Sequence, residues 1–336
     1  MDTPTLLITG GAGFVLAHVV AHYLRVNTKG FVIIFDLEQS CNDVKLREFF
    51  ATFIAENRLR FFKGSVIDKD AWTTLEQDSS LKITHIVSGA AITPTDAEES
   101  GGAAANVLSI NLFGLVNALE FARRRCPDCR FVSISSGAVY TYPGLVFPLP
   151  HTIAQMPDIN VARPESMSTY CLSKFAGEAV VARWSTLFNL DACSVRFGSV
   201  YGELDRDTGA RNRHNGPYWV CKAAVNNETV VVRGDLDDVG GDWICAPDVG
   251  KAVVAILGAE TKPQKKVYHI GTGRAVSHRE LLSSVFRNCK VYVPFSYHVQ
   301  AEGTCTLHCT LLFIILRDTM IIDTLECIPA ISLQAR

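Results

Sequence analysis

The chain has 336 residues, 48% hydrophobic and 20% charged, with a formal net charge of −2 and a pI near 6.5. This is an ordinary globular composition, long enough for one large domain or a domain with a smaller lobe. The near-neutral balance excludes a global field that would draw nucleic acid, so no nucleic-acid partner is expected.

The one basic cluster, Arg123-Arg124-Arg125, follows ALEFA and is read as a solvated helix C-terminus, where cations are favoured. Eleven cysteines are scattered along the chain, and Cys126-Pro-Asp-Cys129 is the sole C-x-x-C. No histidine at finger spacing accompanies it, so the expectation is reduced, buried thiols in an intracellular protein and no metal site. The sequence starts on a strand pattern without a basic-then-apolar leader. Apolar runs such as LLFIIL at 311–316 fall far short of the ~18 residues a membrane span needs. The reading is therefore cytoplasmic, with no membrane partner.

In chain order, TLLITG (5–10) is a buried strand and FVLAHVVAHYLRV the helix after it. FVIIFD (31–36) is a second strand, followed by a charged helical stretch through Asn57. RLRFFKGSV supplies a third strand and ITHIVSGAA (83–91) a fourth. Residues 106–125 form a long amphipathic helix, RFVSISS (130–136) a fifth strand, residues 166–184 another long helix and residues 191–200 a sixth strand. Alternation of this kind predicts an α/β fold: a Rossmann-type, doubly wound parallel sheet with helices on both faces. Residues 201–233 are loop-rich; 242–258 then reads as a short strand and a helix, and 266–273 as a further strand. The division this implies is a Rossmann domain over 1–200, completed by segments within 230–275. A small C-terminal substrate lobe then comprises 201–230 and 276–336.

The chemistry begins at ITGGAGFVLAH. A glycine-rich nucleotide loop reads G-x-x-G-x-x-G; Gly10 and Gly13 are present, and Leu16 holds the third position. Gly10 permits the tight turn and Gly13 a close approach of backbone to a pyrophosphate at the helix N-terminus. The third glycine serves helix–strand packing, so Leu16 is expected to disturb packing more than binding, with Ala12 and Ala17 leaving room. Asp36, at the end of the second strand, suits an adenosine ribose and repels a 2′-phosphate. That favours NAD over NADP; the alternative is an aspartate capping the next helix. Tyr170 and Lys174, four apart on a helix, share one face. An adjacent ammonium would lower a tyrosine's pKa of ~10 toward a useful range. Ser135 and Ser136, ending the fifth strand, reach the same space, where a hydroxyl would orient a substrate oxygen.

TGGAGF, Asp36, N111-L-F-G-L-V-N-A-L-E, SISSGAVY, Y170-C-L-S-K174 and VRFGSVYG together resemble, in order and spacing, the extended short-chain dehydrogenases/reductases. This is the NAD-dependent epimerase/dehydratase family, and the likeness continues through GDWICAPDVGKA and YHIGTG. The resemblance implies that Tyr170 is the catalytic acid/base, Lys174 its partner, Ser136 (rather than Ser135) the catalytic serine, and Asn111 a helix asparagine beside cofactor and proton path. It implies a dinucleotide held by Gly10, Gly13, Phe14, Asp36, Ser65, Val66, Tyr170 and Lys174, and a homodimer through helices 106–125 and 166–184. His85 and His269 fall at structural strand positions.

Departures from the family pattern narrow the function. Gly137 and Ala138 stand where dehydratases carry an Asp-Glu pair. Ser199 and Gly241 stand where nucleotide-sugar epimerases carry an asparagine and an arginine, although Arg211, Arg213 and Arg233 could substitute. Ser65 replaces the aspartate that meets the adenine. After about residue 290 the chain reads as an atypical, aberrant or alternative C-terminus. The function expected is NAD-dependent hydride transfer at a secondary alcohol or ketone of a sugar, sugar acid or similar small molecule. The alternatives are a nucleotide-sugar epimerase like UDP-glucose 4-epimerase and a catalytically silent NAD-binding regulator.

Overall fold

Apolar residues two apart along each strand divide between two faces of one sheet, as the period of an extended chain requires. Leu6, Ile8, Val32 and Ile34 face one core; Leu7, Ile33 and Phe35 face the other. The computed structural model describes residues 3–140, 167–206, 208, 211, 216–226, 237, 240–288 and three later strands. The strands are β1 (Thr5–Thr9), β2 (Phe31–Asp36), β3 (Leu59–Lys63), β4 (His85–Ser88), β5 (Arg130–Ile134) and β6 (Asp191–Phe197). They continue with β7 (Ser199–Tyr201), β8 (Gly240–Gly241), β9 (Trp243–Cys245), β10 (Val267–Gly271), β11 (Val276–Ser277), β12 (Phe295–Val299), β13 (Cys305–Cys309) and β14 (Ser332–Ala335).

The main sheet runs β14-β10-β6-β5-β4-β1-β2-β3. Its first seven strands in chain order along this sheet, β1 to β6 and β10, pair in parallel, and β14 adds antiparallel to β10. The order reverses between β1 and β4, the switch point where open α/β sheets bind ligands. The Rossmann-type sheet read from the sequence is what folds. Helices Phe14–Val26 and Ala246–Leu257 cover one face. Lys69–Gln77, Gly114–Arg125 and Thr169–Leu187 cover the other.

Several boundaries differ from the sequence reading. The charged stretch after Asp36 is three short helices, Glu38–Cys41, Val44–Phe49 and Ala51–Ala55. The sixth strand breaks at Gly198, and β7 leaves the main sheet to pair with β9. Helical backbone begins at Asp96, not 106, and reaches Arg125 through two wide turns at Glu99–Ala103 and Leu108–Phe113. Within this 30-residue stretch an 18-residue window reaches a mean hydropathy of 1.4, so that by length and composition alone it could cross a membrane. Its inner side packs into the fold instead, through Val107, Leu115, Ala118, Leu119, Phe121 and Ala122. Among the residues read as lobe, Ser332–Ala335 joins the main sheet, while β12 and β13 form an antiparallel pair of their own.

Leu16 is 5% exposed inside the first core. Room for it comes from Gly89, just beyond β4. A Cβ at Gly89 would lie 2.5 Å from Leu16 Cδ1 and 2.9 Å from Ile134 Cγ1. The side chain that the first helix carries is thus accommodated by one the fourth strand's exit lacks. Gly89→Ala overpacks this contact and is expected to destabilise by about 1–3 kcal/mol. In a Leu16→Ala background the cost should fall, and a double-mutant cycle by chemical denaturation measures that coupling.

Candidate active site

The carboxyl ends of β1, β2 and β4, with the loops beyond them, enclose a cleft of about 520 Å3. At its floor Gly10 adopts φ +77°, which only glycine takes without strain, and a Cβ there would lie 2.7 Å from Ala90 Cα. Gly10 N–H donates to Phe35 O at 3.0 Å and Gly13 N–H to Gly10 O at 3.0 Å, which closes the turn before the helix at Phe14. Asp36 Oδ2 accepts from Ala12 N–H at 3.0 Å and Oδ1 from Leu37 N–H at 2.8 Å. One carboxylate therefore ties the glycine turn to the end of β2. Burial pushes the Asp36 carboxyl up, and those two amides oppose the shift.

Gly10, Gly13, Phe14, Asp36, Ser65 and Val66 all line the cleft, as do Tyr170 and Lys174 on the opposite wall. Val66 is anchored from behind, its carbonyl accepting from Trp72 Nε1 at 2.8 Å and Asn117 Nδ2 at 2.9 Å.

The opposite wall is the N-terminal turn of helix Thr169–Leu187. Ser168 Oγ caps it, accepting from Cys171 N–H at 3.2 Å. Glu99 Oε1 accepts from both Thr169 N–H and Thr169 Oγ1 at 2.6 Å. Ser136 Oγ accepts from Ala138 N–H at 3.1 Å, and its influence on the Tyr170 hydroxyl is to lower that group's pKa. Lys174 Nζ donates to Ile134 O at 2.9 Å and stands 5.8 Å from the centre of the Tyr170 ring. Ser135 lines the cleft and its hydroxyl donates to the buried Glu178 carboxylate, whereas Ser136, the serine expected to act, is not among the residues lining the cleft. Asn111, 4% exposed, sits behind the wall. Its Oδ1 accepts from Ile92 N–H at 2.9 Å, and its Nδ2 donates to Ile92 O at 3.1 Å and Ser173 Oγ at 3.2 Å. It ties the loop after β4 to the tyrosine helix and is not itself part of the cleft wall.

The electrostatics differ from the sequence expectation in one respect. The Tyr170 pKa is raised, not lowered: burial dominates, and Ser136 and the Arg211 charge only partly offset it. Lys174 gives its proton to a backbone carbonyl rather than to the phenol.

The lobe segment supplies residues the sequence reading did not assign to the dinucleotide pocket. Arg206 and Thr208 line the cleft, with Arg206 Nη2 3.0 Å from Asp43 Oδ1 across its mouth. Arg211 pairs with Asp205 at 2.9 Å and lies 5.2 Å over the Phe14 ring. A sequence separation of 163 residues hides the Arg206 contact from any local pattern. Ser199 is exposed and Gly241 pairs with Val276 in a short ladder. Arg213 and Arg233 lie outside the described residues. No cluster of metal-ligating side chains occurs among the described residues.

A glycine-floored cleft at the switch point, an acid ending β2 and a Ser/Tyr/Lys wall define a dinucleotide-dependent α/β oxidoreductase site. Comparison with known proteins carries this further. The sequence model of the NAD dependent epimerase/dehydratase family matches residues 6–271, and the chain belongs to that family. It is an NAD-dependent enzyme of the extended short-chain dehydrogenase/reductase type. The UDP-glucose 4-epimerase of Mycolicibacterium smegmatis is 26% identical over 285 residues, which cover 83% of this chain and 80% of that protein. The dTDP-glucose 4,6-dehydratase of Streptomyces niveus is 27% identical over 299 residues, covering 84% and 77%. UDP-glucuronate 4-epimerase 4 of Arabidopsis thaliana is 24% identical over 295 residues, covering 85% and 64%. Among solved structures, Thermotoga maritima UDP-glucose 4-epimerase with UDP-glucose shares the fold at TM-score 0.66 and 22% identity, covering 84% of this chain and 82% of that one. The NAD complex of the Thermus thermophilus UDP-glucose 4-epimerase does so at 0.64 and 22%, covering 85% and 83%.

Burial pushes the Lys174 pKa down from 10.5 to about 8, against the pull of the Glu178 carboxylate. A depressed lysine pKa means that the fold accommodates the neutral amine better than the ammonium. The associated stability is present above the unfolded pKa and is lost as pH falls through about 8. Lys174→Met is therefore expected to raise the unfolding free energy at pH 7 by about 1–3 kcal/mol. Denaturant titrations at increasing pH should show that advantage vanish as the pH approaches 10.5.

Proposed function

We propose that this enzyme interconverts a secondary alcohol and a ketone on a nucleotide-linked hexose, in a 4-epimerase type of cycle. The observation that carries the reading is the wall formed by Tyr170 and Lys174, one helical turn apart, facing the Gly10–Asp36 end of one continuous cleft. Bound NAD would supply the hydride acceptor and donor. The residues that fit it are Gly10, Gly13 and Phe14 under the pyrophosphate, Asp36, Ser65 and Val66 at the adenosine end, and Tyr170 and Lys174 at the nicotinamide end. The glycine floor that a Cβ would fill supports this assignment.

In this reading the Tyr170 hydroxyl moves the proton of the reacting oxygen, and Ser136 orients that oxygen. The Lys174 ammonium favours the phenolate when the tyrosine gives up its proton. Asn111 acts by holding Ile92 and the tyrosine helix together. Gly137 and Ala138 provide no carboxylate after Ser136, which argues against elimination of water. The named relatives support a nucleotide-sugar substrate, and Arg211 in the cleft is a suitable cation for a diphosphate. A homodimer through the two long helices is part of the same reading; Phe113, on the first of them, is 59% exposed.

A second reading, a net dehydrogenase of a free sugar or sugar acid, draws on Ser199 and Gly241, which offer a diphosphate neither an amide nor a guanidinium. The two separate on cofactor turnover. An epimerase purifies with near-stoichiometric dinucleotide, released on denaturation, and converts UDP-glucose to UDP-galactose without net NADH. A dehydrogenase purifies empty and accumulates NADH. Under either reading Tyr170→Phe is expected to lower turnover by at least about 10²-fold while dinucleotide binding persists. Wild-type turnover in that variant would overturn the assignment.

A further inference from the structure

Three consecutive residues at the end of β5 each engage a residue of the same helix at successive turns. Ile134 O accepts from Lys174 Nζ at 2.9 Å, Ser135 Oγ donates to Glu178 Oε1, and Ser136 acts on the Tyr170 hydroxyl, lowering its pKa. Residues 170, 174 and 178 are spaced four apart on one helix face. The third rung, at Glu178, continues inward. Arg196 on β6 donates through Nε to Glu178 Oε1 at 2.7 Å and through Nη2 to Oε2 at 2.5 Å, and through Nη1 to the Tyr140 hydroxyl. The Tyr140 hydroxyl lies 3.4 Å from His269 Nε2 on β10. Ser135, Glu178, Arg196, Tyr140 and His269 are all less than 9% exposed. Tyr140 ends the short turn that starts directly after Ser136, so the network grips the serine turn from both sides.

We propose that Glu178, held by Arg196, is a positioning residue of the reaction: through Ser135 it sets the register of the serine turn against the Tyr170 helix, and it places a carboxylate one helical turn from Lys174. The inference rests on the reading of Tyr170 and Lys174 as the reacting wall. It goes beyond that reading by assigning a function to a buried ion pair that never touches the cleft through its charges.

The physical argument is that a buried ion pair is a poor device for stability alone. Hydrophobic replacements of similar volume are commonly as stable or more so, whereas removal of one partner leaves an uncompensated charge. Here the pair sits one helical turn below Lys174, and its carboxylate is the group that opposes the fall in the lysine's pKa. The other titratable or charged groups around Lys174 are Tyr170 on its own helix, Glu99 at that helix's start, Arg196 on β6, Tyr140 on the serine turn, His269 on β10, and Arg211 near Tyr170. Glu178 is the anion nearest in register.

The test separates register and charge from folding. In the full chain, the pH dependence of Lys174 acylation by trace acetic anhydride, read by mass spectrometry, reports its proton affinity without any cofactor or substrate. In Glu178→Gln the midpoint is expected to move down by about one pH unit or more. The double variant Glu178→Met/Arg196→Met should recover wild-type thermal stability yet keep a lowered midpoint. In parallel, the conversion of UDP-glucose should lose kcat at least about tenfold in both variants with KM little changed, which marks transition-state positioning rather than binding. Glu178→Asp, which keeps the charge, should restore the midpoint and only part of kcat. An unshifted midpoint and a kcat within twofold of wild type in the double variant would overturn the proposal and make the pair structural only. If Tyr170→Phe itself retains turnover, the underlying reading fails; if Tyr170→Phe is inactive and the Glu178 variants behave as wild type, this inference alone fails.

Discussion

The reversal of strand order between β1 and β4 is the constraint on which the rest of the structure depends. Neighbouring strands whose connections depart in opposite directions leave a gap at their carboxyl ends that neither connection covers. Everything that defines the site borders that gap. Gly10 turns the chain away from β1 with a left-handed backbone, Gly89 and Ala90 leave β4 close against it, and Asp36 reaches back from β2 to fasten Ala12. The exchange of bulk between Leu16 and Gly89 belongs to the same crowding. Close packing at this junction does not demand a glycine in the first helix as such; it demands that only one of the two approaching elements carry a side chain.

Burial is the second organising influence, and it acts on charge. Asp36, Tyr170 and Lys174 all shift toward their neutral forms for the same reason, loss of water. Hydrogen bonds and neighbouring charges then select which of them stays ready to exchange a proton. For Asp36 the opposing groups are backbone amides, so the residue is a fixed acceptor in the loop. For Lys174 the opposing group is Glu178, itself balanced by Arg196, so the lysine is poised rather than silenced. The site is in this sense an electrostatic balance among buried groups spread over β5, β6 and one helix.

Much of this was legible from the residues. Short continuous apolar runs such as TLLIT and FVIIF, alternating with longer helix-period segments, sufficed for a parallel sheet with helices on both faces. The placement of Gly10, Gly13 and Asp36 against those elements, and of Tyr170 with Lys174 on a later helix, picked out residues that the fold gathers on one cleft. Ser136 was separable from Ser135 only through the family likeness; in the fold Ser135 lines the cleft and gives its hydroxyl to Glu178. Less legible were the helix beginning at Asp96 rather than 106, where a Thr95–Glu98 capping box starts the backbone ten residues early, and the β6–β7 break at Gly198, where β7 turns to pair with β9.

The sequence by itself determined the local matters: which segments are strands and helices, where the turn bends, and which side chains carry a proton or a hydroxyl on one face. Each of these depends on residues within a few positions of one another, and so leaves a periodic or positional trace. Tertiary structure alone decided that Gly89 makes room for Leu16, that Arg206 reaches Asp43 across the cleft, that Asn111 braces rather than lines it, and that burial raises rather than lowers the Tyr170 pKa. Those outcomes depend on desolvation and on contacts between residues far apart in the chain, quantities that exist only once the elements have packed.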